Sequence, residues 1–573
     1  MFKHIILSTV LLFFYFFSYA QSTDYPQDYF RSPVDFPIVL SGNFGELRSN
    51  HFHAGLDIKT QGVEGQKLFA AAEGYISRIK VSPWGYGKAI YIDHPNGFTT
   101  VYAHMQKFND EINTYVKAQQ MQSQNYSVDL YPAKDFLKVE KGTIIGLSGN
   151  TGGSAGAHLH FEIRDTKTET PLNPMLFGFT VQDNIAPIIY SLGFYPINDG
   201  LVLNKRERYY LKMNRVGTGV YGANIEKLTA FGSIGVGIKV NDMANMAHNK
   251  LGAYKIRLFV NDTIVYSYTM NAVSFDESRF INSHIDYAYK QMMNAQYEKC
   301  FLDPGNELSI YDKVVDRGIL NIEDGKYYQL RFEVEDFNGN ISKANFGIQG
   351  KENIDEVPYF SSNKIIGKVD RKKPFEFNSE KVSFSFEPYS FYDDFNFEFW
   401  MSDTFPRAIA PNYYIHKALE PVHKNYQFAI DLKDIDTKLK EKIYPVRYDN
   451  KGKESTENFE IKEDKIILHP KALGAFTLKT DFQPPKIMPV NFHNQKRISG
   501  TKNIKFTAID IASGIKSQDA YLNGNWVLFE NEPKQNLYTY QVDEFLQKGE
   551  NTLEIIVRDY VGNEAKEVFT LYY

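Results

Sequence analysis

From Gln66 to Thr100 the chain alternates short β-favouring runs with turn residues. Lys67-Leu68-Phe69-Ala70 gives way to Glu73-Gly74, Tyr75 to Val81 gives way to Pro83-Trp84-Gly85-Tyr86-Gly87, and Ala89 to Asp93 gives way to Pro95-Asn96-Gly97. Apolar runs of strand length, punctuated by Gly, Pro and Asn at this spacing, predict antiparallel strands joined by tight turns. A second β-rich run, Gly142 to Ser148, leads through Gly149-Asn150-Thr151-Gly152-Gly153 into a strand from His158 to Arg164. Between the two the period changes. Phe108, Ile112, Tyr115 and Val116 recur at helical spacing behind Asn109, with Asp110 and Glu111 where a first turn favours negative charge. This predicts a short amphipathic helix over about 109–122, placed after His104 as a wall or lid of any site there, or as packing on the domain edge.

Beyond Phe179 the pattern is strand-length aromatic and β-branched runs with frequent Gly, Asn and Asp turns and little helical periodicity, which predicts β-sandwich modules. A weak repeat supports the division. Asp183 to Ile189 and Asp481 to Ile487 share D-x-x-x-P-x-I, while Asp336 to Asn340 and Asp559 to Asn563 share D-x-x-G-N. The expected organisation is a first β domain over 21–180, a β-sandwich module over 181–352, a β-rich module over 353–480 that begins near Asp355-Glu356-Val357-Pro358, and a β-sandwich module over 481–573. The fold class is mainly β.

At 573 residues the chain exceeds what one hydrophobic core holds, so several units are required. The 64 basic and 69 acidic residues leave a net charge of −5, which speaks against a nucleic-acid partner. Lys3, the apolar run Ile5 to Phe17 and the small residues around Ser18-Tyr19-Ala20 read as a cleaved secretory signal over 1–20, so export to the periplasm or cell surface is expected. No later stretch is long and apolar enough to span a bilayer, and no transmembrane segment is expected after cleavage. Cys300 is the only cysteine, which rules out an internal disulfide and any zinc site built on several thiolates, and it reads as a buried free thiol.

The candidate chemistry lies between positions 51 and 160, which hold six of the thirteen histidines. Four of them sit in His53-Ala54-Gly55-Leu56-Asp57, Tyr102-Ala103-His104 and His158-Leu159-His160. Residues i and i+2 of a strand share a face, so His158 and His160 present their imidazoles together. His53 and Asp57 offer a nitrogen and an oxygen, Gly55 allows close backbone approach, and one of the paired histidines would complete three protein ligands. A fourth position left to water is the arrangement of catalytic zinc. Other motifs fail on context. Gly152-Gly153-Ser154-Ala155-Gly156 matches a nucleophile elbow but leads into a strand, His160-Phe161-Glu162 lacks the P-C-x-x-C partner of zinc deaminases, and H-E-x-x-H does not occur. His51 and His94 read as structural.

With H-x-G-x-D, Y-A-H and H-L-H in that order, the Ser148 to Gly152 turn and the closing Leu172-Asn173-Pro174, residues of about 38 to 180 resemble the lysostaphin/LytM-type zinc metallopeptidases. The resemblance implies an antiparallel β catalytic domain of the duplicated hybrid motif type. It implies one Zn²⁺ held by His53, Asp57 and His160, with His104 and His158 orienting water, accepting its proton or stabilising the oxyanion. It also implies a secreted peptidoglycan endopeptidase with all five positions filled. The departure is an insertion near 105–138, where the family has a shorter connection. The tail resembles immunoglobulin-like modules, through which an envelope protein partner would be engaged. A non-catalytic scaffold or activator of other cell-wall hydrolases, and an adhesion protein, are the alternatives.

Overall fold

The computed structural model describes residues 25–352, 362–403 and 405–573. The expected signal over 1–20 and the expected module opening near 355–358 lie outside the described residues.

The first unit is built on twelve short strands. They are β1 (Leu40–Gly42), β2 (Leu56–Lys59), β3 (Lys67–Phe69), β4 (Gly74–Val81), β5 (Lys88–Asp93), β6 (Phe98–Ala103), β7 (Lys107–Phe108), β8 (Val128–Leu130), β9 (Lys138–Val139), β10 (Ile144–Leu147), β11 (His158–Asp165) and β12 (Pro171–Leu172). Nine form one sheet in the order β1-β2-β11-β6-β5-β4-β8, with β12 on β11 and β9 on β4, and β3-β10-β7 form a small second sheet. The pairings within both sheets are antiparallel, as the alternation of runs and turns predicts. One face of the large sheet buries Ile76, Ile90, Ile92, Tyr102, Leu159, Phe161 and Ile163. The opposite side chains of β11, from His158 through His160, Glu162 and Arg164, form the functional face.

The helix α1 (Asp110–Ser123) forms within a residue of the expected span, its first turn capped by the Asn109 side chain, which accepts from the Ile112 N–H. Ile112, Val116 and Gln120 are its buried face. No residue of 105–138 lines the groove over the histidines, so α1 is neither wall nor lid of that groove. The physical reason is that its apolar stripe packs into the domain core, which directs the helix to the edge.

Beyond residue 180 the chain is again β. A 13-stranded sheet system spans 188–350, six- and five-stranded sheets span 365–480, and four- and five-stranded sheets span 486–572. The last two pairs enclose their own apolar cores, one including Phe384, Phe397, Phe428 and Phe476, the other Phe506, Phe529, Ile555 and Leu571. The 13-stranded unit does not stand apart in this way. Its core is continuous with that of the first unit from Phe30 to Ile348. The continuity comes from the joint, where Leu172 bridges to Ala272, the Asn173 side chain donates to the Met270 carbonyl (3.1 Å) and the Phe52 N–H donates to Ser278 Oγ (2.9 Å). Cys300 is buried and free. No described helix is long and apolar enough to cross a membrane.

Candidate functional site

Strand register assembles the centre. Asp57 on β2 is paired directly with His160 on β11, and His160 is paired on its other side with Ala103, the last residue of β6, so that His104 follows at the sheet edge. His53 reaches the same point from the loop before β2. That loop lies flat on β11 because residue 55 is glycine, and a Cβ there would sit 2.3 Å from the Phe161 carbonyl oxygen. Leu159 and Phe161 are fully buried behind, holding His158 and His160 to the functional face.

Three donor atoms converge. His53 Nε2 lies 2.9 Å from Asp57 Oδ1 and 3.0 Å from His160 Nδ1, and His160 Nδ1 lies 2.9 Å from the same Asp57 oxygen. His53, Asp57 and His160 are each less than a tenth exposed. Two imidazole nitrogens and a carboxylate oxygen, mutually in contact and out of solvent, are a donor set suited to a borderline divalent cation such as Zn²⁺.

The remaining nitrogen of each ring is occupied, which sets which nitrogen faces the centre. His53 donates from Nδ1–H to the Asn43 carbonyl (2.7 Å), leaving Nε2 inward. His160 donates from Nε2–H to Glu162 Oε1 (2.7 Å), leaving Nδ1 inward. The fully buried Glu162 also accepts from Arg164 Nε (2.6 Å) and from the Tyr86 hydroxyl, and the Tyr86 ring stacks on His160. The second Asp57 oxygen accepts from Arg48 Nη2 at 2.9 Å.

His104 and His158 complete the group, their rings 4.8 Å apart. His104 donates from Nδ1–H to the Thr151 carbonyl and His158 from Nδ1–H to the Gly156 carbonyl, both at 2.8 Å. Their Nε2 atoms are thereby left as acceptors, and that of His158 stands 3.4 Å from Asp57 Oδ1. His104 carries a left-handed φ of +58°, a strained conformation for a non-glycine residue that turns it off the end of β6 toward the centre.

Electrostatics follow from burial. Burial and then the neighbouring imidazoles His160 and His158 push the His104 ring down to about 3, which keeps it neutral. Burial likewise lowers His53. Burial would also lower His160, but its hydrogen bonds with Asp57 and Glu162 outweigh this and push it up to about 9. Burial opposes ionisation of Glu162, yet the Arg164 charge and the His160 hydrogen bond bring it down to about 2.

All five residues singled out in the sequence, His53, Asp57, His104, His158 and His160, therefore meet in one place. His94 does not join them. Its Nδ1–H goes to the Glu73 carbonyl and its Nε2 accepts from Thr100 Oγ1, a satisfied core histidine. Glu162 and Arg164 were not anticipated as part of the site, although their i+2 and i+4 spacing from His160 on one strand face is a readable signal. Arg48, Tyr86 and Asn43 carry no comparable signal.

The groove over the centre has a volume of about 1050 Å³ and is bordered by Arg48, Ser49, Gly85, Tyr86 and the turn 153–157, with Asn249 from the 13-stranded unit. A branch of about 500 Å³ runs past His51, His53 and His160 to Phe275 and Arg279, then to His423, Lys424 and Lys471. The tail thus contributes side chains to the walls. Arg279 joins two tail units, donating from Nε to the Val422 carbonyl (3.0 Å) and from Nη2 to the Lys471 carbonyl (2.6 Å).

Comparison with known proteins gives two family matches. Peptidase family M23 matches residues 51–174, and the Zu5-like domain matches residues 368–481. Among curated relatives, the DD-carboxypeptidase/endopeptidase Mpg of Neisseria meningitidis is 33% identical over 129 residues, 22% of this chain and 23% of that protein. The peptidoglycan DD-endopeptidase ShyA of Vibrio cholerae is 30% identical over 139 residues, 23% of this chain and 26% of that protein. The chain therefore spans about a quarter of the length of these relatives. Among solved structures, the catalytic domain of the antimicrobial peptidase lysostaphin from Staphylococcus simulans is 24% identical with a TM-score of 0.18, covering 24% of this chain and 90% of that one.

Proposed function

With residues 51–174 a domain of peptidase family M23, we propose that this chain is an exported zinc metalloendopeptidase that hydrolyses peptide bonds of bacterial peptidoglycan. The observation that carries the reading is the contact of His53 Nε2, Asp57 Oδ1 and His160 Nδ1 within 3.0 Å of one another beneath an open groove. These three residues would hold one Zn²⁺. When bound there, the ion supplies Lewis-acid polarisation of the scissile carbonyl and a lowered pKa for the attacking water.

The remaining work falls to the chain's own groups. His158 and His104, each with Nδ1–H committed to a carbonyl, present free Nε2 lone pairs to the centre. His158 accepts the proton of the water and returns it to the leaving amine, while His104, held neutral by burial, orients the water. Glu162 holds the His160 ring in its working orientation, and Arg48 does the same for the Asp57 carboxylate. The groove accepts an extended peptide, and its branch along Arg279, Lys424 and Lys471 makes the tail a participant in substrate positioning.

In this reading a cleaved signal over 1–20 delivers the protein to the periplasm or cell surface. The peptidase domain reaches to about residue 180, and modules over 181–352, 353–480 and 481–573 follow. The modules also offer the surface for an envelope protein partner. The test is incubation of the purified protein, and of a chelated and zinc-restored control, with peptidoglycan, followed by identification of released fragments by mass. Fragments from the zinc form alone are expected. Their absence under every condition removes the enzymatic reading in favour of a scaffold or activator.

A further inference from the structure

Two acidic clusters lie outside the histidine centre, and they are built alike. Asp183, Asp242 and Asp336 form one, and Asp481, Asp510 and Asp559 the other, each offering carboxylate oxygens within 4.8 Å of one another. In both, the first aspartate opens a D-x-x-x-P segment, the second directly follows the last residue of a strand, and the third belongs to D-x-x-G-N. The third is held identically. Asp336 accepts from the main-chain and side-chain N–H of Asn340 at 2.8 and 2.7 Å, and Asp559 from those of Asn563 at 2.7 and 2.7 Å.

The second aspartate separates them. In the later cluster Asp510 Oδ1 accepts from the N–H groups of Ala512 (3.0 Å) and Gly514 (2.7 Å), and Asp481 Oδ2 accepts from the Ser513 hydroxyl (2.7 Å). Protein donors fill that cluster. In the earlier one, Asp242 is 3% exposed and its Oδ1 has no hydrogen-bond partner among the described residues. All three carboxylates line a cavity of about 30 Å³, and among the described residues no Lys, Arg or His lines it. A buried carboxylate oxygen without a donor is costly, and three carboxylates without a countercharge more so. A cavity of this size admits one small occupant.

We propose that Asp183, Asp242 and Asp336 form a binding site for a hard divalent cation, Ca²⁺, at the joint between the peptidase domain and the 13-stranded unit. The donor set is oxygen alone and comes from three separate segments, which suits the large, flexible shell of Ca²⁺ over the small octahedral one of Mg²⁺. Without a cation, burial and the charges of Asp336 and Asp183 push Asp242 up to about 8, so a proton takes the cation's place.

The site has a route to the groove. Asp242 and Leu251 exchange both main-chain hydrogen bonds, closing a loop from which Asn249 lines the groove. The next residue, Gly252, exchanges two hydrogen bonds of 2.8 Å with the side chain of Asn43, whose carbonyl holds His53. Ca²⁺ at the cluster therefore braces a groove wall and the seat of His53.

The test is equilibrium dialysis of the full chain against ⁴⁵Ca²⁺ up to a few millimolar, the range of extracellular calcium modules at Kd on the order of 10⁻⁴–10⁻³ M, with thermal midpoints in Ca²⁺ and in chelator. Wild type is expected to take up Ca²⁺ and to melt higher with it. Asp242→Asn and Asp183→Asn are each expected to lose one equivalent and the Ca²⁺-induced rise, while Asp510→Asn and His160→Ala keep both. In chelator, Asp242→Asn is expected to melt no lower than wild type, because the neutral amide stands in for the protonated carboxyl that fills the empty site, which separates loss of the site from loss of the fold. No uptake by wild type, unchanged uptake by Asp242→Asn, or loss in Asp510→Asn instead overturns the proposal. None of these readouts depends on peptidase activity.

Discussion

The two classes of histidine at the centre differ in what their inward nitrogens meet. Those of His53 and His160 touch each other and Asp57, whereas His104 and His158 stand back, with their protons given to main-chain carbonyls. If the contacting set holds the proposed zinc, replacing one of its members removes a ligand. His160→Ala is therefore expected to abolish zinc retention measured by elemental analysis, whereas His158→Ala keeps the zinc and loses roughly 10²–10⁴-fold in peptide hydrolysis. If His158→Ala empties the site and His160→Ala does not, the roles are reversed. The buried His104 sets a pH dependence. Its ring titrates near 3 when folded, whereas an unfolded histidine titrates near 6.5, so the unfolded chain binds the extra proton between these values. Its contribution to stability is then complete above about pH 6.5 and is lost as pH falls toward 3. Urea midpoints of the metal-free protein are expected to fall from pH 6.5 to pH 4, and His104→Gln should make that fall shallower. An equal fall in both proteins would show that burial does not hold this ring neutral.

Strands bring the centre together, and the turn over 149–157 holds its two outer histidines in place. That turn supplies the carbonyls of Thr151 and Gly156, and it is itself gripped from the far end of the chain. Lys534 donates to the Asn150 and Ser154 carbonyls, Lys88 pairs with Glu530 at 2.8 Å, and Lys117 of α1 pairs with Asp543 at 2.8 Å. The insertion thus seats the terminal unit, and the terminal unit steadies the turn. Lys534→Ala is expected to speed amide hydrogen exchange over residues 150–157 without changing that of β5 and β6. Unchanged exchange in the turn would reduce the contact to surface packing. Lys534 makes only two hydrogen bonds to this turn, each worth on the order of 1 kcal/mol, so the expected effect is local mobility and not unfolding.

Across the molecule, independence is uneven. The last unit has its own core and meets the peptidase domain largely through polar groups, while the 13-stranded unit shares one core with that domain. A chain ended at 485 is expected to keep the thermal midpoint of the remainder nearly unchanged. A chain ended at 180 uncovers Phe52, Leu172 and Met175, which face His284, Ala272 and the Asp242 cavity, at about 1.5–3 kcal/mol for each side chain exposed. Its midpoint should drop by on the order of 10 °C or more, or the fragment should aggregate. Equal behaviour of the two truncations, measured by scanning calorimetry, would contradict the shared core.

The amino-acid order by itself determined the local elements and the identity of the five histidine-site residues. Strand alternation, a capped helical stretch behind Asn109, and imidazoles two residues apart on one strand are short-range properties that neighbouring residues dictate. Glu162 and Arg164 lay within reach of the same two-residue rule. Tertiary structure alone decided the rest: that Asp57 lies opposite His160, that Asn43 holds the His53 ring, that α1 turns away from the groove, and that Arg279, His423 and Lys471 line it from more than a hundred positions beyond His160. These depend on sheet register and on how separate units dock. Both are settled by the summed packing of distant surfaces, which no local period encodes.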